Sequence, residues 1–270
     1  MDDYDPQKDS HDSYYAAIEA KRLRGDANPI KREVIIGDCR LLLGDSLEIL
    51  PLLGKVDACV TDPPYGIGES AKKNKTRGKS SAIWGKSKTG SALAYAKDYG
   101  TDNWDQSPAD PAAIAWMRAN SDWQIIFGGN YFELPPTSCW LVWDKQNTGD
   151  FADCELAWTN LPKAVRRIHW MWNGMLRKGK EERFHLTQKP LGVMEWTLGH
   201  LPATVSTVLD PYAGSGTTGV ACVKRRLHFV GIEREPHHFE TMCERIRKAY
   251  AQPDFFVERA PEPVQEGLAL

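Results

Sequence analysis

The chain has 270 residues, enough for one substantial core with room for a small insert. It is 41% hydrophobic and 26% charged, and no apolar run approaches the ~18 residues that a membrane helix needs, so no membrane partner is expected. A formal net charge of -2 excludes a uniformly basic nucleic-acid binder.

The N-terminus, MDDYDPQKDS, is acidic and polar with no apolar signal core, so a cytoplasmic protein is expected. Residues 1–30 read as a peripheral segment, with a short helix over Ser13–Arg24. Strands are predicted over Glu33–Ile36 and Arg40–Leu43, turning at Gly37-Asp38. A short helix opens at Asp45, and Val56–Thr61 is a compact strand that stops at Asp62-Pro63-Pro64-Tyr65. Residues 66–106 form a long Gly-, Ser- and Lys-rich loop, a type that is usually functional. Between Ser70 and Lys97 it carries eight Lys or Arg and no acid. Basic loops on an acidic frame can still grip a phosphate backbone locally.

A helix follows over Pro108–Asn120, then a strand at Trp123–Phe127 and the turn Gly128-Gly129-Asn130, a pocket wall or a plain turn. CWLVWD, CELAWT and RRIHWMW are strand-like. Leu191–Leu201 is helical, Val205–Leu209 a strand, Thr217–Arg225 a helix, His228–Ile232 a strand and Pro236–Tyr250 an amphipathic helix. Residues 251–270 include a loose Pro- and Glu-rich tail. Strands alternate with helices at both ends, which predicts a mostly parallel α/β sheet. The six cysteines have no CxxC spacing and the seven histidines no ligand spacing. Buried thiols, a surface His237-His238 pair and no metal are expected.

Two segments carry chemistry. The first is STVLDPYAGSGTTGVACVKRRLHFVGIE, where a strand runs into Asp210-Pro211, the turn Gly214-Ser215-Gly216-Thr217, a helix, and a second strand ending at Glu233. Glycines let a ligand approach the backbone, and a carboxylate on the second strand can accept ribose hydroxyls. Alone, this turn suits a nicotinamide enzyme as well as one using S-adenosylmethionine. It lies near the C-terminus, however, with Asp210 at the strand tip.

The second segment is Asp62-Pro63-Pro64-Tyr65, which a strand delivers to the carboxyl edge of the sheet. Paired prolines stiffen the backbone and donate no N–H, so carbonyls can face outward. An aromatic amine is a poor nucleophile because its lone pair is delocalised into the ring. A carboxylate and a carbonyl accepting its two N–H bonds favour a pyramidal nitrogen. A neighbouring aromatic can stack on the base once it has left the duplex.

Together these motifs resemble the beta class of DNA amino-methyltransferases, whose DPPY motif precedes the cofactor motif. The resemblance spans roughly residues 40–250. It implies a Rossmann-like α/β methyltransferase fold, circularly permuted, with helices on both sheet faces and a small inserted recognition region. The implied layout is a catalytic half over 31–134, recognition over 135–182 and a cofactor half over 183–250. His185-Leu186-Thr187-Gln188-Lys189-Pro190 resembles the family's HPTQKP segment, with Leu186 replacing a proline. By resemblance, Asp45, Thr187, Gln188 and Lys189 contact S-adenosyl-L-methionine, Asp210, Pro211, Gly214, Ser215, Gly216 and Thr217 wrap it, and Glu233 takes its ribose. Asp62, Pro63, Pro64 and Tyr65 are the implied catalytic group.

The implied partner is double-stranded DNA, held through Lys72, Lys73, Lys75 and Arg77 in a loop that orders on binding, and through Arg166, Arg167, Arg177 and Lys178. An Asp at position 62 favours adenine N6 over cytosine N4. Dimers occur in the resembling class, and a bacterial or phage-encoded enzyme is implied. The competing readings are an inactive DNA-binding module, a nicotinamide oxidoreductase, and methylation of RNA or protein amides. The last usually carries Asn in place of Asp62 and the glycine turn first.

Overall fold

The computed structural model describes residues 28–67, 107–146, 152–172 and 188–252. The Ser13–Arg24 helix, the basic loop and the tail lie outside them. Within the described residues, nine strands form one sheet: β1 (Arg32–Ile36), β2 (Cys39–Leu43), β3 (Val56–Thr61), β4 (Ser121–Phe127), β5 (Trp140–Asp144), β6 (Cys154–Thr159), β7 (Arg166–His169), β8 (Thr207–Asp210) and β9 (His228–Glu233). Their spatial order is β1-β2-β9-β8-β3-β4-β6-β5-β7. The β2/β9, β9/β8, β8/β3, β3/β4 and β5/β7 pairings are parallel, and β1/β2, β4/β6 and β5/β6 antiparallel.

The central strands read as near-continuous apolar runs because helices cover both faces. Helices α3 (Leu191–Leu198), α4 (Thr217–Lys224) and α5 (Pro236–Ala251) cover one face. There Val193, Val220, Phe239 and Met242 share a core with Leu41, Val60, Val208 and Phe229. Helices α1 (Ser46–Ile49) and α2 (Pro111–Ala119) cover the other, where Ile49, Ala113, Trp116 and Met117 join Leu42, Cys59, Leu209 and Ile232. Adjacent residues of one strand thus enter opposite cores, as the period of two requires. Each fully buried large side chain contributes roughly 1.5–3 kcal/mol. The doubly covered, mostly parallel α/β sheet is the architecture expected from the sequence.

Local chemistry sets the element ends. Asp110 caps α2 by accepting the Ala112 N–H at 2.8 Å, so the helix starts at Pro111 and not at Pro108. Pro108 instead bridges to Tyr65. Gly37 takes a positive φ of 54° in the β1–β2 turn, and an added Cβ would lie 2.3 Å from the Tyr250 ring. The Asp38 N–H donates to the Tyr250 hydroxyl at 2.8 Å, fastening α5 to that hairpin.

Two features position the site. β3 and β8 are neighbours, with Ala58 opposite Val208 and Cys59 opposite Leu209, although 150 positions separate each pair. The carboxyl ends of β2, β3, β4, β8 and β9 therefore share one edge, where open α/β sheets bind ligands. Because β6 runs antiparallel to β4, its first residues, Cys154 and Glu155, start at that same edge. Residues 140–169, expected to belong to a recognition insert, build β5, β6 and β7 and so extend the sheet itself. Among the described residues, no helix is long and apolar enough to cross a membrane.

Candidate active site

Asp62 leaves β3 at the carboxyl edge with its side chain 26% exposed. Tyr65 donates its hydroxyl to Asp62 Oδ1. Lys189 Nζ approaches Asp62 Oδ2 at 2.6 Å. A carboxylate offers about four lone-pair positions, so further donors can still be received on the open side. The Pro64 carbonyl accepts the Ala109 N–H at 2.9 Å, whereas no described residue donates to that of Pro63.

The Tyr65 ring is held on several sides. Tyr131 stacks on it at 4.9 Å between centroids and 19° between planes, and Phe132 meets it edge-on at 6.3 Å. Gly128 has φ 64°, and a Cβ there would stand 2.1 Å from the Tyr65 ring. Gly128 thus packs closely behind Tyr65, and Gly129 against Trp158, where an added Cβ would stand 2.3 Å from the Trp158 Cβ.

Lys189 is buried between two carboxylates: Asp62, and Glu155 Oε2 at 2.9 Å. Its ammonium also lies 5.0 Å from the Phe127 ring centroid. Glu155 pairs in turn with Lys145. Burial alone would raise Glu155, but Lys189 and Lys145 outweigh it and hold the carboxyl down to about 2. Burial would likewise lower Lys189, yet Asp62 and Glu155 together raise it. Asp62 is raised, because burial and the charge on Glu155 exceed the pull of Lys189.

The glycine turn adjoins this cluster. Asp210 is buried and accepts from Thr61 Oγ1 at 2.7 Å, Thr218 Oγ1 at 2.6 Å and the Tyr212 N–H at 3.1 Å. It therefore ties the turn to the last residue of β3. Burial pushes its carboxyl up to about 6 against those hydrogen bonds. Glu233 accepts the Gly214 N–H at 2.8 Å and the Glu235 N–H at 2.7 Å, and burial pushes it up to about 7. Gly216 and Gly219 are glycines for packing, since a Cβ would meet Met242 at 2.6 Å and Phe229 at 2.7 Å respectively. Gly214 differs: at φ 53° an added Cβ would meet nothing within 4 Å, so its backbone faces open space. That open, glycine-lined turn, with a carboxylate at the end of β9, fits an adenosine-type cofactor.

Several expected residues have other duties here. Asp45 caps α1 by accepting the Leu47 N–H at 2.9 Å, and the Ser46 hydroxyl donates to the Pro211 carbonyl. Gln188 is buried next to Lys189. Arg166 and Arg167 lie exposed on β7, the outermost strand, with Arg167 4.0 Å from Asp144. Thr187, Lys72, Lys73, Lys75, Arg77, Arg177 and Lys178 lie outside the described residues. His238, expected at the surface beside His237, is buried at the start of α5 next to Phe239, where helix geometry turns it inward. Cys154 is exposed, whereas the other five thiols are buried.

Two contributors escaped the sequence reading. Glu155 shares a strand face with buried Ala157, and that period of two is the signal that could have found it. Arg245 is buried and donates through Nη1 to the Ser215 carbonyl at 2.7 Å, the Ser215 hydroxyl at 2.9 Å and Thr217 Oγ1 at 3.0 Å. It lies three residues after buried Met242, so its helical spacing already placed it on the inner face.

Comparison with known proteins follows the same lines. Residues 135–244 match the family profile of DNA methylase. The chain is 29% identical over 149 residues to the type II methyltransferase M.HinfI of Haemophilus influenzae, covering 52% of this chain and 40% of that protein. It is 39% identical over 137 residues to M2.MboI of Moraxella bovis, covering 50% and 49%. The chain thus spans less than half the length of these relatives. Among solved structures, the M1.HpyAVI–SAM complex superposes with a TM-score of 0.48 at 23% identity, over 77% of this chain and 98% of the other.

Proposed function

We propose that the chain is a member of the adenine-N6 and cytosine-N4 class of DNA methylases, a reading supported by the match over residues 135–244, and that it transfers a methyl group from S-adenosylmethionine to the exocyclic amine of a base in DNA, adenine in the first instance. One observation carries the reading. The Asp62 tip and the glycine turn are joined by the 2.7 Å bond from Thr61 to Asp210. An amine held at Asp62 is thereby next to a cofactor held at Gly214, and such proximity is a large part of catalysis.

Glu233 accepts ribose hydroxyls, the open backbone at Gly214 admits the cofactor, and Asp45 is a further acidic contact for it. Bound there, S-adenosylmethionine supplies an electrophilic methyl group on a sulfonium. Asp62 and the Pro63 carbonyl accept the two amine N–H bonds, which frees the nitrogen lone pair for attack. Tyr65, braced by Gly128 and Tyr131, presents a fixed aromatic edge to the everted base. Double-stranded DNA is the partner, and exposed Arg166 and Arg167 on β7 contact its backbone.

Tritium transfer from labelled cofactor to DNA, followed by base-resolved mapping, tests this directly. N6-methyladenine is expected. N4-methylcytosine would overturn the choice of base, and a complete lack of transfer would overturn the enzyme reading. Asp62→Ala is expected to lose about a thousandfold or more in rate, with cofactor affinity changed less than about threefold by calorimetry.

A further inference from the structure

Asp62 is not the only carboxylate on Lys189. Glu155 reaches the same ammonium from β6, a strand outside both sequence motifs, and Lys145 closes the chain on its far side. Counting formal charges along Lys145, Glu155, Lys189 and Asp62 gives two cations and two anions, a cluster of zero net charge. Removing Glu155 would leave two ammonium groups facing one carboxylate in a site of low dielectric, where charge acts strongly.

This bears on the reaction proposed above. As the N–C bond forms and the C–S bond breaks, the C–S electron pair stays on sulfur. Positive charge then grows on the amine nitrogen until its extra proton passes to water. That charge appears beside Asp62, hence close to Lys189. An uncompensated ammonium there repels it, whereas an ammonium already paired with Glu155 does not. We infer that Glu155 is a positioning residue that balances Lys189, so that Asp62 faces the target amine as an unspent anion.

The inference rests on the methyltransfer reading, and the experiment separates the two. Glu155→Gln keeps the shape and removes the charge. Its rate is expected to fall about tenfold, with cofactor affinity nearly unchanged. Its acid limb in kcat/KM should move to lower pH by about one unit, because Asp62 loses a neighbouring anion. The second readout needs no turnover: the 13C carboxyl signal of Asp62, assigned by its loss in Asp62→Asn, should titrate lower by a similar amount. Glu155→Asp, which keeps the charge, should hold the Asp62 midpoint near the parent value and recover rate relative to the amide. Glu155→Met serves as the neutral variant should the amide fail to fold.

An Asp62 midpoint and acid limb that stay put in the neutral variant would overturn the inference. So would Glu155→Asp behaving as the neutral variant does. If the parent protein transfers no methyl group while the Asp62 midpoint still shifts, the charge balance stands and the functional reading falls.

Discussion

Glu155 and Glu233 are the same residue type at one edge of one sheet, the first partly buried and the second buried, yet the first is held down to about 2 and the second pushed up to about 7. The difference lies in what neutralises them. Glu155 faces the full charges of Lys189 and Lys145, whereas Glu233 has the backbone N–H dipoles of Gly214, Arg234 and Glu235. Full charges offset desolvation and dipoles do so in part. The Asp62 tip is therefore an ion network in which Lys189 and Lys145 hold Glu155 ionised, while burial raises Asp62 itself. The glycine turn is a dipole-bound site whose charge state responds near neutrality.

The strongest way to break that contrast is to remove its cation. Lys189→Met leaves Asp62 and Glu155 confronting each other in the interior without compensation. Breaking a buried pair in this way costs about 3–5 kcal/mol. Urea denaturation at pH 8 should show that loss, and methyl transfer should vanish. The penalty should shrink on acidification, as one of the two carboxyls takes up a proton. A variant as stable as the parent at pH 8 would mean that Lys189 does not offset the charges of Asp62 and Glu155.

The difference between the regions also explains what was legible in the sequence. Strand and helix identities came from periodicity, and CELAWT matches β6 residue for residue. The tetrapeptide and the glycine turn are contiguous, so motif reading found them. Lys189 was also found, but only as a cofactor contact. Its engagement with Asp62 crosses 127 positions and with Glu155 crosses a strand order that no local pattern encodes. The segment 135–182 read as a recognition region because it lies between the two motif groups of the resembling class, and its described strands belong to the sheet. In space they attach antiparallel to β4 and carry Glu155 to the active edge. Arg245 and His238 lay on the inner stripe of α5, where burial of a polar residue runs against the usual preference.

A smaller effect is expected at the glycine turn. Arg245→Met removes the buried donor shared by the Ser215 carbonyl, the Ser215 hydroxyl and Thr217 Oγ1. Leaving buried acceptors without a donor costs about 1–3 kcal/mol. The turn loosens where the cofactor is expected, so affinity should weaken about tenfold. The Asp62 titration should not move, since that region is neutralised separately. Calorimetry with S-adenosylmethionine and the 13C signal of Asp62 check the two halves of the statement. A shift at Asp62 would show that Arg245 acts beyond the glycine turn.

The last effect has the clearest sign. Glu233 has a folded-state value of about 7 against an ordinary 4.5, so between those limits the folded chain holds a proton that the unfolded chain has released. Its contribution to stability is present below about pH 4.5 and is lost as pH rises through 7, amounting to roughly 3 kcal/mol. Asp210, pushed up to about 6, acts in the same direction over a narrower window. Glu155 acts oppositely, losing its contribution only as pH falls from 4.5 toward 2. Glu233→Gln mimics the protonated side chain. It should match the parent at pH 5 and exceed it at pH 8 in urea denaturation. Cofactor binding should run the other way: the parent's affinity grows up to about pH 7 as the carboxylate forms, while the amide variant stays weak and flat. Stability lost above pH 4.5 is thus tied to the anion that a ribose would use, and equal pH slopes in parent and variant would uncouple them.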